Sequence, residues 1–444
     1  MIDPIAIVSL TAALMVLLIL LGVHVAVTLG VMSFIGLWAI SGQPSTAVNL
    51  LATTFFYALK SYEFGVIPLF VLMGSVLGHG TSEELFASAN VLLRRVRGGL
   101  AMATVIGNAV FAAMTGSSMA SAAAFSKIAY PPMTRMGYDK RFALGCVAGS
   151  SILGMLIPPS ILFIIYGILT QVSIGKLFIA GVVPGLLLTF IFCAGIAIMG
   201  ALRPGLVGRD ARKATSQPAA SRAESSDLAT LFRPWPALVL IVIVLGGIYR
   251  GFFTPNEAAA VGAIGAVLIA CAKRQLTWAN AKQAVWGVGI TSGAIMLLLV
   301  MAQMYSRMVA LSGVVQGVET WLAGAALPGM AVLGAVVVSI IAMGMLVDST
   351  SILLLLVPIA FPILTKLGYD PIWLGVVIVV ATEMGLVTPP FGMSIFTVKA
   401  SLVNEVTVGE ISLGAMPFLV MMALFLAIVI AFPGLSTWLV GYMQ

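Results

Sequence analysis

The sequence predicts an all-α membrane protein that crosses the bilayer many times. Of its 444 residues, 61% are apolar and only 8% are charged, whereas a soluble domain carries charge on about a quarter of its residues. A chain of this length has room for about ten spans of ~20 residues. Short motifs of the first half recur in the second half, so we expect two related repeats of about 200 residues.

Composition excludes several other classes of protein. The net charge is +7, but the densest basic run is only Arg94, Arg95 and Arg97, so no nucleic-acid partner is expected. The three cysteines stand singly in apolar segments, which predicts neither a disulfide framework nor a metal site. The first basic residue is Lys60, and the first apolar run is therefore predicted to be a retained span, not a cleaved signal peptide.

The alternation of apolar and polar segments predicts the individual elements. Two long apolar stretches, 99–131 and 328–365, carry polar residues in their middle. Four amphipathic segments are expected to lie along the membrane surface, at about 46–60, 82–97, 277–287 and 312–325. Ten segments are predicted to span the membrane, at about 5–22, 24–41, 64–79, 142–170, 177–200, 236–250, 256–272, 288–308, 371–401 and 411–432.

The two halves of the chain share motifs at one ungapped spacing. The motif MGYDK (136–140) matches LGYDP (367–371), and GMLIPP (154–159) matches GLVTPP (385–390). The offset is the same for both pairs (368 − 137 = 231 and 389 − 158 = 231). We therefore expect a first repeat at 1–200, a linker at 201–235 and a second repeat at 236–444, with the hairpins and broken spans at matching places.

Charge predicts the orientation of these elements. Basic residues collect in short cytoplasmic loops, and the polar stretch 203–235 carries six basic residues against three acidic ones, which places the linker inside. Counting the spans from there puts both termini on the periplasmic side. Basic residues flank 99–131 at both ends, so we expect a re-entrant hairpin entering from the cytoplasm. Its counterpart at 328–365 then enters from the periplasm, and the second repeat is inverted relative to the first.

The tips of the two predicted hairpins concentrate polar groups where apolar residues are expected. Gly116 allows a turn, and the hydroxyls of Ser117 and Ser118 either cap the helix that follows or contact an ion or substrate. The matching tip contains Asp348, whose burial in the membrane costs about 2.5–3.5 kcal/mol. Such a cost favours a functional role for this carboxylate.

Each hairpin is accompanied by a span that is interrupted by a proline pair. The interruptions lie in 149–160 and 381–392, and a broken helix leaves free carbonyls at one end and free N–H groups at the other. The carbonyls suit a hard cation such as Na⁺, and the N–H groups attract a carboxylate. Glu383 lies one turn before the second break, where it either contributes to the site or pairs with a neighbouring hydroxyl. Inverted repeats with paired broken elements are typical of secondary transporters.

Nearly the whole chain resembles the large membrane subunit of tripartite ATP-independent periplasmic (TRAP) transporters. The resemblance rests on the motifs FAAMTGSSMASAAAFSKIAYPPM, GYDKRFALGCVAGSSILGMLIPPS, LFIAGVVPGLLL, FFTPNEAAAVGA and ATEMGLVTPPFGMSIF, which occur in the order of that family. It implies an elevator-type carrier in the bacterial inner membrane that a Na⁺ gradient energises, with no other cofactor. It also implies two partners, a small four-helix membrane subunit and a periplasmic binding protein that delivers an organic acid. No fused small-subunit segment is expected.

The same resemblance implies the site residues. The sodium ligands of the family lie at the hairpin tips and the adjoining breaks, which here correspond to Ser117, Ser118, Gly154, Asp348, Ser349, Thr350 and Thr388. Substrate contacts are expected from the hydroxyls of the first tip, from the first proline of each break and from the neighbouring glutamate, namely Ser117, Ser118, Pro158, Pro389 and Glu383.

Two other functions compete with this one. A divalent-anion/Na⁺ symporter of related fold that works without a binding protein would share the hairpins and breaks. An intramembrane hydrolase that uses Ser117 or Ser118 would need a histidine base within reach, but His24 and His79 are predicted at membrane boundaries. The sequence leaves open which organic acid is carried, how many Na⁺ ions move per cycle and how many copies assemble.

Overall fold

The part of the chain that the structure describes is built from helices, as the sequence predicts. A computed structural model describes residues 4–208, 223–325, 327–403 and 406–443. Within these ranges the one β-type pairing is an isolated bridge between Tyr138 and Val207. Helices suit the apolar composition, because a helix satisfies its backbone hydrogen bonds internally and can face lipid.

Most helices of the first half end near a glycine, proline or serine. They are α1 (Pro4–Leu20), α2 (Val25–Ser41), α3 (Pro44–Lys60), α4 (Val66–Leu93), α5 (Gly99–Thr115), α6 (Ser118–Ile128), α7 (Tyr130–Arg135), α8 (Lys140–Ser151), α9 (Leu153–Leu156), α10 (Ile161–Thr170) and α11 (Ile174–Leu202).

The second half also contains both long and short helices. They are α12 (Ala223–Phe232), α13 (Trp235–Tyr249), α14 (Pro255–Ala272), α15 (Trp278–Ser312), α16 (Val314–Ala325), α17 (Gly329–Gly344), α18 (Ser349–Lys366), α19 (Pro371–Val387), α20 (Met393–Ser401), α21 (Val408–Ala431) and α22 (Gly434–Thr437). Short 3₁₀ turns occupy Tyr62–Gly65, Pro204–Leu206 and Val440–Tyr442.

Two of the predicted amphipathic segments are not separate helices. The segment 82–97 mostly continues α4, which runs for 28 residues, and 277–287 forms the start of α15, which runs for 35 residues. Neither junction contains a proline, so nothing interrupts the hydrogen-bond ladder where the polarity changes. The segments 46–60 and 312–325 correspond to the separate helices α3 and α16.

Six helices of the described residues are long and apolar enough to cross a membrane. The number rises to eight if two bent pairs are each counted as one span. One pair joins α3 to the start of α4 at an angle of 60°, and the other joins α8 and α9 to α10 at 41°. Helices α1 and α2 have 17 residues each, slightly fewer than the ~20 that a bilayer core requires.

The interrupted segments pack across the two halves of the chain. Helix α10 contacts α18, and α20 contacts α6, so each short helix after a break lies against the helix that follows the opposite tip. Helix α8 lies along α21, and α17 lies along α19. Helix α11 contacts α5, α19 and α21. Helix α4 lies along α5 and also contacts α14 and α15, and α15 contacts α2.

Candidate functional site at the helix breaks

The first tip is a tight turn that rests on the first proline break. Gly116 ends α5 with φ 59°, a left-handed conformation that favours glycine. A methyl group on Gly116 would lie 2.9 Å from the carbonyl oxygen of Pro159, so a larger residue would push the tip away from the break. Ser117 then caps α6, and its hydroxyl oxygen accepts the backbone N–H of Ala120 at 3.3 Å.

Gly154 brings the broken span into contact with the same tip. A methyl group on Gly154 would lie 2.9 Å from the carbonyl carbon of Ser117 and 3.0 Å from the backbone nitrogen of Ser118. The three residues of the first predicted ion site are therefore adjacent in the fold. Pro158 is buried next to them, and its peptide bond to Pro159 is cis.

The second tip is built on a carboxylate in place of a hydroxyl. Asp348 caps α18, where its Oδ2 accepts the backbone N–H of Ser351 at 3.2 Å and its Oδ1 accepts the hydroxyl of the same residue. Asp348 and Thr350 are half-buried, whereas Ser349 is buried. The acidic cap suits its position, because a negative charge is stabilised at a helix N-terminus.

The second break adjoins this tip. Thr388 ends α19, and its hydroxyl donates to the carbonyl of Met384 at 2.7 Å. Pro389 is half-buried, and its peptide bond to Pro390 is cis. Helix α20 begins after the break at Met393. Its second residue, Ser394, has a fully buried hydroxyl with no hydrogen-bond partner among the described residues.

Glu383 joins the two tips. Its carboxylate is 2% exposed, with Oε2 accepting the hydroxyl of Ser118 and Oε1 accepting the hydroxyl of Ser349 at 3.1 Å. Both serines are the first residue of their helix, directly after the tip. Glu383 therefore pairs with neighbouring hydroxyls, which is one of the two roles that the sequence allows for it. No hydrogen bond of the described residues links Glu383 to Asp348 or Thr388.

A second polar network supports the first hairpin, and its residues are not among those predicted from the sequence motifs. The buried Asn108 of α5 donates to the hydroxyl of Ser150 at 2.6 Å and accepts the hydroxyl of Ser121 at 2.6 Å. Ser150 in turn donates to the carbonyl of Cys146 at 2.6 Å. The sequence signal for this network is Asn108, an amide within an apolar helix. A buried amide is costly unless it is hydrogen-bonded, so hydroxyl partners could have been predicted for it.

The two tips and the two breaks offer mainly oxygen atoms as ligands for an ion. Hydroxyl, carboxylate and break carbonyl oxygens suit a hard monovalent or divalent cation. No group of three or more histidine, cysteine or acidic side chains capable of holding a metal is present among the described residues. Of the residues in the hydrolase alternative, Ser118 donates its hydroxyl to the carboxylate of Glu383, Ser117 caps α6, and His24 caps α2 through its Nδ1.

These features define a class of membrane protein. At least six helices of spanning length, together with interrupted helices whose broken ends surround a buried carboxylate, are typical of polytopic membrane transporters.

Comparison with known proteins identifies the family. Residues 12–435 match the family described as "Tripartite ATP-independent periplasmic transporter, DctM component". The chain is 36% identical over 400 residues to the C4-dicarboxylate TRAP transporter large permease protein DctM of Pseudomonas aeruginosa, a match that covers 89% of this chain and 90% of that permease. The chain therefore belongs to the large-permease (DctM) family of TRAP transporters, and the resemblance seen in its motifs is confirmed.

Two further comparisons agree with this assignment. The isethionate TRAP transporter permease protein DctMQ of Oleidesulfovibrio alaskensis is 32% identical over 434 residues, which cover 96% of this chain and 65% of that protein. Among solved structures, the YdaH transporter of Alcanivorax borkumensis has a TM-score of 0.56 at 15% identity, over 87% of this chain and 89% of that one. The relatives are transporter permeases and not enzymes, and the solved structure supports the fold alone.

Proposed function

We propose that this permease imports an organic acid, a carboxylate, together with Na⁺. The observation that carries the proposal is the carboxylate of Glu383, which accepts one hydroxyl from each of the two tips. Two helix N-termini and two helix breaks then surround one small region rich in oxygen ligands. A secondary transporter needs such a region to bind an ion and a substrate side by side.

The proposed sodium sites lie one at each tip. The first uses Ser117, Ser118 and Gly154, whose backbones touch. The second uses oxygens of the tip that begins α18 and of the break that ends α19, namely Asp348, Ser349, Thr350 and Thr388. Sodium is a hard cation that prefers oxygen ligands, and the spare lone pairs of capping oxygens remain available to it.

The proposed substrate position lies between the two breaks. Pro158 and Pro389 border it, and the N-terminus of α20 with the unpartnered hydroxyl of Ser394 provides positive dipole ends that attract a carboxylate. The names of the relatives, C4-dicarboxylate and isethionate permeases, support an organic acid as the substrate class.

We further propose that transport uses an elevator movement of an inverted repeat with ten spans and periplasmic termini. The reciprocal contacts of α10 with α18 and of α20 with α6 support one unit formed by both repeats. Helices α11 and α21 belong to this unit, because α21 lies along α8 and α11 contacts α5 and α19. The fixed part then comprises α1–α3 and α13–α15, and α4, which contacts α5 as well as α14 and α15, joins the two parts.

The proposed partners are a small four-helix membrane subunit and a periplasmic binding protein. The family description, a tripartite periplasmic transporter with a DctM component, supports both. The proposed location is therefore the bacterial inner membrane.

Uptake into proteoliposomes tests the function. Radiolabelled succinate is offered with a cognate binding protein and small subunit added or omitted, in the presence of Na⁺, K⁺ or choline. We expect uptake only with Na⁺ and all three proteins. Uptake without the binding protein would favour the divalent-anion/Na⁺ symporter, and equal uptake in choline under an imposed proton gradient would favour proton coupling.

A further inference from the structure

We infer that Glu383 is a positioning residue that couples the two sodium sites by orienting one hydroxyl ligand in each. The inference rests on the proposed function, because it presumes that Ser118 and Ser349 are sodium ligands. It differs from the direct substrate contact that the sequence analysis expects of this glutamate.

The geometry gives the carboxylate one oxygen for each tip. Ser118 is 1% exposed, Ser349 is 2% exposed and Glu383 itself is 2% exposed, so water cannot replace either hydrogen bond. A hydroxyl has one donor and two acceptor lone pairs. When its proton points at Glu383, its two lone pairs are left for a cation. Each serine hydroxyl is thereby held in one orientation, with its oxygen free to bind a cation.

The same geometry argues against a direct contact between Glu383 and the substrate. Each carboxylate oxygen already accepts one hydroxyl from a tip, and the side chain is buried together with both serines. A substrate carboxylate brought against Glu383 would also be repelled, because like charges at short range in a poorly solvated site disfavour each other. The glutamate therefore acts through the serines.

The matching position of the first half supplies an internal comparison. The offset between the halves places Ile152 opposite Glu383 (383 − 231 = 152), and Ile152 is likewise buried, at 1% exposure. The fold thus accommodates an apolar side chain at this point of the broken span. A buried carboxylate is costly unless it is hydrogen-bonded, and its presence in only one half, shared by both tips, indicates a role that joins them.

Coupling between the sites follows from the shared carboxylate. Sodium at one tip fixes its serine and thereby fixes the side chain of Glu383, which then holds the other serine ready for a second ion. Any such effect of one site on the other must be reciprocal. Some carboxylates do not bind a metal themselves but hydrogen-bond to its ligands. Replacing such a carboxylate typically lowers metal affinity by about 10–100-fold.

The test compares Na⁺ dependence in variants of the full chain. Glu383→Gln keeps the shape of the side chain but has only one oxygen, so its amide can accept from one serine and must donate to the other. We expect the half-saturating Na⁺ concentration for succinate uptake to rise about 10–100-fold and the Hill coefficient for Na⁺ to fall toward 1. The control is Thr382→Val, since the Thr382 hydroxyl donates only within its own helix, to Ile378 at 2.8 Å. We expect wild-type Na⁺ dependence for this variant.

A double-mutant cycle keeps the inference testable if Glu383→Gln does not fold. Ser118→Ala and Ser349→Ala are combined, and Na⁺ binding is followed by the Na⁺-induced rise in melting temperature of the purified chain. Non-additive losses support coupling, whereas additive losses overturn it. Wild-type Na⁺ affinity and Hill coefficient in Glu383→Gln would also overturn it. If the wild-type protein itself shows no Na⁺ dependence, the proposed function fails instead.

Discussion

Gly344 at the end of α17 lies directly against Gly385 near the end of α19. A methyl group added to Gly344 would stand 2.7 Å from the Cα of Gly385, closer than any relaxed packing allows. Small residues permit such close helix approach within membranes. This contact holds α17 against α19, two residues along α19 from Glu383, whose carboxylate joins the tips.

Replacing Gly385 by alanine is therefore expected to separate α17 from α19. Overpacking of this kind costs about 1–3 kcal/mol, and we expect a lower melting temperature together with loss of most uptake. The control is Gly334→Ala on α17, the helix that Gly385 faces, where nothing lies within 4 Å of the added methyl. Similar melting temperatures for the two variants would show that the contact is not needed.

Asp348→Asn is expected to weaken sodium binding without unfolding the tip. Asparagine caps helices about as well as aspartate, so α18 keeps its start, but the site loses a negative ligand. We expect the half-saturating Na⁺ concentration to rise about tenfold or more, with a melting temperature in Na⁺-free buffer close to that of the wild type. Unchanged Na⁺ dependence of uptake would remove Asp348 from the proposed second site.

A cross-link between the proposed moving and fixed parts is expected to stop transport. A side chain built on Gly175 of α11 would lie 3.2 Å from Cγ2 of Ile248 of α13, within the reach of a disulfide. The variant Gly175→Cys with Ile248→Cys is made after Cys146, Cys193 and Cys271 are replaced. We expect oxidation to abolish uptake and reduction to restore it, while Na⁺ still raises the melting temperature of the oxidised protein.

A second cross-link within the fixed part serves as the control for the first. A side chain on Gly262 of α14 would lie 3.3 Å from Cγ2 of Val244 of α13, and Gly262→Cys with Val244→Cys should transport equally well when oxidised. If the Gly175–Ile248 cross-link also leaves uptake unchanged, α11 and α13 do not move past each other and the elevator proposal fails.

The cytoplasmic position of the linker is testable by labelling. Ser216 lies in 209–222, outside the described residues, and its predicted location rests on the basic residues of 203–235 alone. In the cysteine-free background, Ser216→Cys is expected to react with an impermeant maleimide in inside-out vesicles and not in intact cells permeabilised at the outer membrane. Labelling from the periplasm would invert the topology, because every other segment is counted from this linker.

Local signals in the sequence predict where helices end, but they do not predict which residues far apart in the chain contact each other. Gly116 and the proline pairs mark helix ends through their own backbone preferences, so the breaks fall inside the predicted segments. The bond between Ser118 and Glu383 joins residues 265 positions apart, and no local pattern encodes which hydroxyl a buried carboxylate meets. The sequence also predicts a separate helix at 82–97, because the side chains become more polar there. The backbone hydrogen bonds of α4 continue through this change in polarity, so one helix forms.

The interleaving of the short helices has a consequence for how the protein is made. Helices α6 and α20, of 11 and 9 residues, lie against each other, and each is too short to cross a bilayer of ~30 Å alone. The first hairpin therefore leaves the ribosome long before the helix that covers it has been synthesised. Until then its polar tip needs shelter from lipid, whether from the insertion machinery or from neighbouring chains. The two halves, expressed as separate polypeptides, should accordingly survive in the membrane only when they are produced together.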